Sequence, residues 1–295
     1  QKVVNFPINV WIGWLPIVAA NGGFSPNPDS IFTKKYGFKV NLKLIDDPVV
    51  ARDAFAAGES HVLWGTLDMM VLFAPDLMKD SRSAPRIFQQ VDWSSGGDGI
   101  VVRDRIGSVR DLKGKSISSG APGSGQYQLL TDLLKVHGMS RSDVKEDLSS
   151  FTQSVDKIKD GNLVASLITA GAPTSSISDL ANAREVRVVP LSGPEIETLR
   201  KKQPYYAMVQ LPANTYKGQT APVDTLAVMA VWATHDGLSD QMAYEVTKAL
   251  FENTATLGQV HPKGKEITLQ TALQSVSIPL HPGAERYYRE KGLLK

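Results

Sequence analysis

The 295-residue chain contains no cysteine. Disulfides, thiolate nucleophiles and cysteine-based metal sites are thereby excluded. It also lacks an apolar run long enough to cross a bilayer: the longest, Val10 to Ala20, is broken by Gly13 and Pro16 and falls short of the roughly 20 residues a spanning helix needs. An excess of either charge is missing too. With 32 basic and 30 acidic side chains dispersed along the chain, the formal charge is +2, and no basic stripe is available to follow a nucleic-acid backbone or an anionic membrane. The chain begins at Gln1 without a basic n-region and an apolar h-region. That start fits either a cytoplasmic protein or one whose signal peptide has been removed.

Catalytic signatures are equally scarce. Gly114-Lys-Ser116 ends like a phosphate-binding loop, but the position five residues before Gly114 is Val109, so the glycine frame is missing. Gly123-Ser-Gly125 is not the Gly-x-Ser-x-Gly turn of a hydrolase, and no Gly-x-Gly-x-x-Gly follows a strand. His61, His137, His235, His261 and His281 are scattered, without the i, i+4 spacing of a helical metal pair. Asp92, Asp98 and Gly99 lack the alternating oxygen ligands of a calcium loop and read as turn-capping carboxylates. No metal or cofactor is expected, and the chain reads as noncatalytic.

What is present is a hydrophobic fraction of 42%, enough for real cores, on a length that predicts two lobes of similar size. The stretch Ser118-Ser-Gly-Ala-Pro-Gly-Ser-Gly-Gln-Tyr-Gln-Leu-Leu130 follows a short strand signal, Lys115 to Ser118. It precedes Leu129, Leu130, Leu133 and Leu134 at helical spacing. A strand, a glycine-rich turn and a helix start follow, with Ser124 as N-cap and Gln126 and Tyr127 in the first turn. Such a turn either holds an anion on converging N–H groups or is simply tight. A second turn of the same design, Ala170-Gly-Ala-Pro-Thr174, follows a strand at Leu163 to Thr169 and opens a helix at Thr174.

Elsewhere strands alternate with helices. Strands are expected at Val3–Ile12, Lys39–Ile45, His61–Trp64, Arg86–Val91 and Ile100–Val102, a pattern that predicts an α/β fold with mostly parallel sheets flanked by helices. The polar stretch Arg103 to Lys115 marks a lobe crossing, Tyr205 to Leu211 leads back out, and the apolar Thr225 to Ala233 returns as a buried strand. Residues 1–102 and 212–295 then form lobe I and 103–211 lobe II, with two hinge strands and a cleft between. Trp14, Trp64 and Trp93 fall at the carboxyl ends of expected strands, where open sheets bind ligands, whereas Trp11 and Trp232 fall mid-strand and read as core. The three indoles can wall a pocket or cage a cation, and Asp68 and Asp92 in the same loops can receive an ammonium group.

From Ser108 to the end the chain resembles the TAXI family, solute receptors of tripartite (TRAP) transporters. The residues that carry this are Asp111-Leu-Lys-Gly-Lys115, Gly120-Ala-Pro-Gly-Ser-Gly125, Thr169-Ala-Gly-Ala-Pro-Thr174, Pro212-Ala-Asn-Thr-Tyr216, Ala249-Leu-Phe-Glu252 and Ile278-Pro-Leu-His-Pro-Gly-Ala-Glu-Arg-Tyr-Tyr-Arg-Glu290. Val10-Trp-Ile-Gly-Trp14, Phe32-Thr-Lys-Lys-Tyr-Gly-Phe38 and Ala54-Phe-Ala-Ala-Gly58 resemble instead the nitrate/taurine type of ABC-transporter binding protein. Both resemblances imply a two-lobed, type II-like periplasmic binding protein: a monomeric, extracytoplasmic receptor that closes on a small solute and delivers it to a TRAP or ABC permease. The TAXI resemblance further implies that Ser124, Gly125, Gln126 and Thr174 face the cleft and hold a carboxylate.

The full candidate set is Trp14, Trp64, Thr66, Asp68, Asp92 and Trp93 in lobe I, with Ser119, Gly123, Ser124, Gly125, Gln126, Gly171 and Thr174 in lobe II. An anionic or zwitterionic organic solute suits this set. The alternatives are a cationic or quaternary ammonium solute in a tryptophan cage, and an enzyme on the same fold.

Overall fold

The computed structural model describes residues 2–94, 98–103, 106–260, 265, 267–274 and 276–295. The side chains of Ile12, Asp92, Trp93, Phe151, Leu257 and Val260, and His261 entirely, lie outside that description. In chain order the elements are β1 (Val3–Ile8), α1 (Leu15–Asn21), α2 (Ile31–Tyr36), β2 (Lys39–Leu44), α3 (Pro48–Ala56), β3 (Val62–Thr66), α4 (Leu67–Leu77), β4 (Arg86–Trp93) and β5 (Gly99–Val102). There follow β6 (Ser116–Ser118), α5 (Gly125–Val136), β7 (Lys145–Asp147), α6 (Phe151–Lys159), β8 (Ala165–Ile168), α7 (Ser175–Ala183), β9 (Arg187–Val189), α8 (Pro194–Lys202), β10 (Ala207–Leu211) and β11 (Val223–Ala227). Last come β12 (Met229–Thr234), α9 (Asp240–Phe251), α10 (Thr254–Val260) and α11 (Pro282–Glu290).

The chain forms two compact units, residues 1–92 with 229–295, and residues 93–228. The crossings thus fall at 92/93 and 228/229, not at 102/103 and 211/212, and strand pairing is the reason. β5 pairs with β8 and β9 in the second unit's sheet. β10 and β11 form an antiparallel hairpin held to the same unit by an isolated bridge from Asp98 to Leu226 and by the Leu191 N–H on the Asp224 carbonyl. The expected single strand Thr225 to Ala233 is accordingly broken at Val228. There Ser94 accepts the Val228 N–H on its hydroxyl (2.8 Å) and donates its own N–H to the Val228 carbonyl (3.0 Å).

In the first unit β1 and β2 pair in parallel, and a second sheet runs β3-β12-β4 with β12 antiparallel to β3. Its interior gathers Phe6, Trp14, Phe88 and Trp232, whose rings meet at centroid separations of 5.1–6.2 Å. The second unit holds a five-stranded sheet in the order β7-β6-β8-β5-β9. β7, β6 and β8 are parallel, whereas β5 runs against both of its neighbours. The sheets are therefore mixed: each unit takes in one strand beside a crossing in the sense opposite to a neighbour, β12 in the first and β5 in the second.

Candidate functional site

β6 and β8 are parallel neighbours, with Ile117 opposite Ala165 and Ser118 opposite Ser166. The turns that follow them therefore leave the same edge of the sheet side by side. In the first turn Gly120 and Gly123 take left-handed backbone angles (φ 73° and 81°) that a side chain would strain. Ser124 then caps α5: its hydroxyl accepts the Tyr127 N–H at 3.2 Å and its carbonyl accepts the Gln128 N–H at 3.1 Å. The Gly125 and Gln126 amides remain as open donors of the first turn. The Gln126 side chain is engaged by the sheet. Its amide donates to the Leu167 carbonyl at 2.9 Å and ties the start of α5 to β8.

The second turn, Thr169 to Thr174, opens α7 in the same way. The Thr174 carbonyl takes the N–H groups of Ile177 and Ser178, and the Thr174 N–H donates to the Tyr216 hydroxyl at 3.0 Å. The amides of Ser175 and Ser176 are left open. Beside them, the hydroxyl oxygens of Thr169 and Ser176 are buried without a hydrogen-bond partner. Two helix N-termini, four open amides and two unpartnered hydroxyls thus share one sheet edge, an arrangement that suits an oxyanion. Two acids on β7 are already neutralised, Glu146 by Arg141 and Asp147 by Lys157 at 2.6 Å.

Several expected donors are engaged elsewhere. The Ser119 hydroxyl is buried and donates to Glu146, with the Arg141 guanidinium at 3.4 Å. Arg141 is itself fixed, 3.5 Å above the Tyr127 ring and bonded to the Tyr127 carbonyl and the Thr131 hydroxyl, and burial lowers its pKa. The Thr174 hydroxyl donates to the Gly171 carbonyl at 3.0 Å, so it offers no proton to an anion. Ser124 keeps its hydroxyl proton, and Gly123 and Gly171 contribute backbone geometry alone. Thr169 and Ser176 were not expected as site residues. The available signal was positional: one hydroxyl directly after a strand and one in the first turn of the next helix.

Trp14 and Trp64 are buried in the first unit rather than displayed as walls. Trp14 is 2% exposed, donates its ring N–H to the Asn9 side chain at 2.5 Å and stacks on Trp232 at 5.1 Å. Trp64 is buried and donates to the Ile45 carbonyl at 3.2 Å. Trp11, expected in the core, is instead half-buried and stands edge-on to Trp14. The side chains of Asp92 and Trp93 lie outside the described residues. Thr66 ends β3, and Asp68, in the first turn of α4, is buried and accepts the Met69 N–H at 2.9 Å.

Residues 100–292 match the NMT1-like family, about two thirds of the chain and nearly all of the second unit. The chain belongs to the NMT1-like family. The matched region includes all six of the segments that resemble TAXI receptors. Solved structures similar to this NMT1-like chain include the alkanesulfonate-binding protein SsuA from Xanthomonas axonopodis pv. citri bound to MOPS, at 16% identity and TM-score 0.55, covering 98% of this chain and 84% of that one. PhnD1 from Prochlorococcus marinus in complex with methylphosphonate aligns at 10% identity and TM-score 0.61, covering 99% of both chains. A binding protein component of an ABC phosphonate transporter from Pseudomonas aeruginosa aligns at 14% identity and TM-score 0.55, covering 90% and 80%. At these identities the likeness establishes the fold of this NMT1-like chain: a two-lobed α/β periplasmic binding protein.

Proposed function

We propose that this NMT1-like protein is an extracytoplasmic solute receptor of an ABC-type importer. It takes a small organic anion of the sulfonate, phosphonate or carboxylate class on the paired turns of its second unit. The observation that carries the reading is the pair of unpartnered buried hydroxyls, Thr169 and Ser176, beside the open amides of two helix N-termini. The similar sulfonate- and phosphonate-binding proteins support an ABC permease as partner. Among the described residues no helix is long and apolar enough to cross a membrane. Binding shifts the two-lobed receptor between open and closed forms, which the permease distinguishes. The reading is noncatalytic, so the bound solute is recovered unchanged.

Calorimetric titration with ethanesulfonate, methylphosphonate and succinate tests it, with choline as the opposing probe. One of the three anions is expected to bind. Thr169→Val combined with Ser176→Ala then weakens it at least tenfold, since each hydrogen bond to a charged group contributes about 1.5–3 kcal/mol. Thr174→Val, which removes a hydroxyl already engaged by Gly171, leaves that affinity within about twofold. Tight binding of choline with none of the anions sinks the proposal.

A further inference from the structure

A pocket of about 190 Å³ opens in the second unit where the end of α5 meets the start of α8. Gly138 (φ 72°) stops α5 and leaves His137 as its C-cap. The short helical turn Val109–Leu112, ahead of β6, forms a second side. Pro190 to Ser192, with Glu195 and Ile196 at the start of α8, form the third. All of these residues belong to one compact unit. The pocket shares no residue with the paired turns: α5 is twelve residues long, about 18 Å, and Ser124 and His137 stand at its opposite ends.

His137 is 9% exposed, and its Nδ1 lies 2.8 Å from the Leu133 carbonyl. A carbonyl only accepts, so Nδ1 carries the proton and the neutral ring presents Nε2 as a bare acceptor. Nε2 has no hydrogen-bond partner among the described residues and is not sealed in the core. With Nδ1 turned into α5, the distal edge of the ring is the part that lines the pocket. The charged groups beside it answer each other. Arg110 donates to the Glu195 carboxylate at 2.9 Å and to the His137 carbonyl at 2.6 Å. That Arg110 bond above all, with His137 adding to it, holds Glu195 below the ordinary carboxylate range. Val109, Leu191 and Ile196, all buried, and Pro190 supply apolar walls, and Ser192 is an exposed lining residue.

We infer that this pocket is a second small-molecule site, for a neutral aromatic or heteroaromatic ring of phenol size that gives one O–H or N–H to Nε2 of His137. The buried ring nitrogen left without a partner is an acceptor, so the ligand supplies the donor. Arg110 and Glu195 are paired with each other, and neither calls for a charge on the ligand. The volume and the apolar walls suit a single ring, since an apolar cavity of about 150 Å³ holds benzene. The site stands apart from the anion reading of the paired turns and does not depend on it.

The test uses the full chain with 15N-labelled histidine, the His137 ring resonances being assigned from their loss in His137→Phe. Phenol, anisole and benzoate are the probes. Phenol is expected to bind saturably and to shift the His137 Nε2 resonance. Anisole, which keeps the ring but has no O–H, binds about tenfold more weakly. Benzoate, a ring that carries charge, leaves the resonance still, even where it occupies the paired turns. His137→Phe removes the preference for phenol over anisole. Should that variant fail to fold, Ser192→Trp supplies the check, because it fills the pocket from an exposed position: it abolishes the phenol shift while the denaturation midpoint stays that of wild type. A His137 resonance that saturating phenol does not move, or still moves in Ser192→Trp, overturns the site. Equal affinity for phenol and anisole, or a His137 shift caused by benzoate, overturns the ligand class.

Discussion

At Gly120 the backbone turns with φ 73°, and the missing side chain makes room for the Gln126 amide. A Cβ there would lie 2.6 Å from the Gln126 oxygen and 3.0 Å from the Ser124 hydroxyl. Both residues serve the turn: Ser124 caps α5, and Gln126 ties it to β8 through the Leu167 carbonyl. Gly120→Ala therefore combines left-handed strain of about 1–2 kcal/mol with displacement of a buried hydrogen bond. Urea denaturation is expected to show a loss of about 2–3 kcal/mol, accompanied by weaker binding of whichever anion the wild type takes. A variant as stable as wild type would show that the turn does not depend on this glycine.

At the scale of elements, α9 and α11 cross where Gly283 meets the start of α9. A Cβ on Gly283 would fall 2.1 Å from the Asp240 carbonyl oxygen and 2.9 Å from the Tyr244 nitrogen, both backbone atoms that cannot swing aside. Around the crossing, Tyr287 stacks on Phe251 at 5.8 Å, and the Tyr288 hydroxyl donates to the Phe88 carbonyl at 2.9 Å, linking α11 to β4. Burial raises the pKa of both tyrosines, so they stay neutral, Tyr288 as a hydrogen-bond donor. Gly283→Ala is expected to cost about 3 kcal/mol by overpacking, read as a fall in the denaturation midpoint without a change in slope. A loss under about 0.5 kcal/mol would contradict the close crossing.

Much of this element layer was legible in the sequence, because period and punctuation are local: Pro282 opens α11, Ser124 opens α5, and alternation marks β2. What sequence reading missed depends on partners far along the chain. β1 stops at Ile8 rather than Ile12 because the Asn9 side chain accepts both the Trp14 ring N–H and the Trp11 backbone N–H, bending the chain into the turn that buries Trp14. β5 joins the second unit's sheet by pairing with β8 and β9, which lie more than sixty residues ahead of it. The engaged hydroxyls of Ser119 and Thr174 could not be told from open ones without their acceptors.

At the scale of the whole molecule the two units differ in how acid reaches them. The first unit uses three histidines as hydrogen-bond acceptors: Nδ1 of His61 takes the Asn5 N–H at 3.0 Å, that of His235 the Gly237 N–H at 3.0 Å, and that of His281 the Gly283 N–H at 3.1 Å. Each bond requires the neutral imidazole. Burial lowers the pKa of all three. Lys43 adds to the effect at His61 and the other two histidines add to it at His235, where Asp236 opposes. At His281 the Leu238 carbonyl, Asp240 and Asp236 oppose burial, and Arg86 reinforces it.

A histidine whose folded pKa lies below its unfolded value of about 6.5 binds fewer protons when folded. The stability it contributes is present above that pH and is lost as pH falls toward the depressed folded value. In the second unit Asp111, Asp143, Asp147 and Glu195 are held below the ordinary carboxylate range, so their contribution is lost only below about pH 4. Burial raises Asp132, which works in the opposite direction by favouring the folded state as it protonates. Between pH 7 and pH 5 the first unit is therefore expected to weaken while the second holds. Hydrogen exchange at pH 7 and pH 5, corrected for the intrinsic rate, should show protection falling in residues 1–92 and 229–295 and persisting in 93–228. His281→Asn, whose side-chain oxygen can accept the Gly283 N–H in either condition, should remove part of the loss. Equal loss of protection in both units, or none in the first, would refute the assignment of acid sensitivity to these three imidazoles.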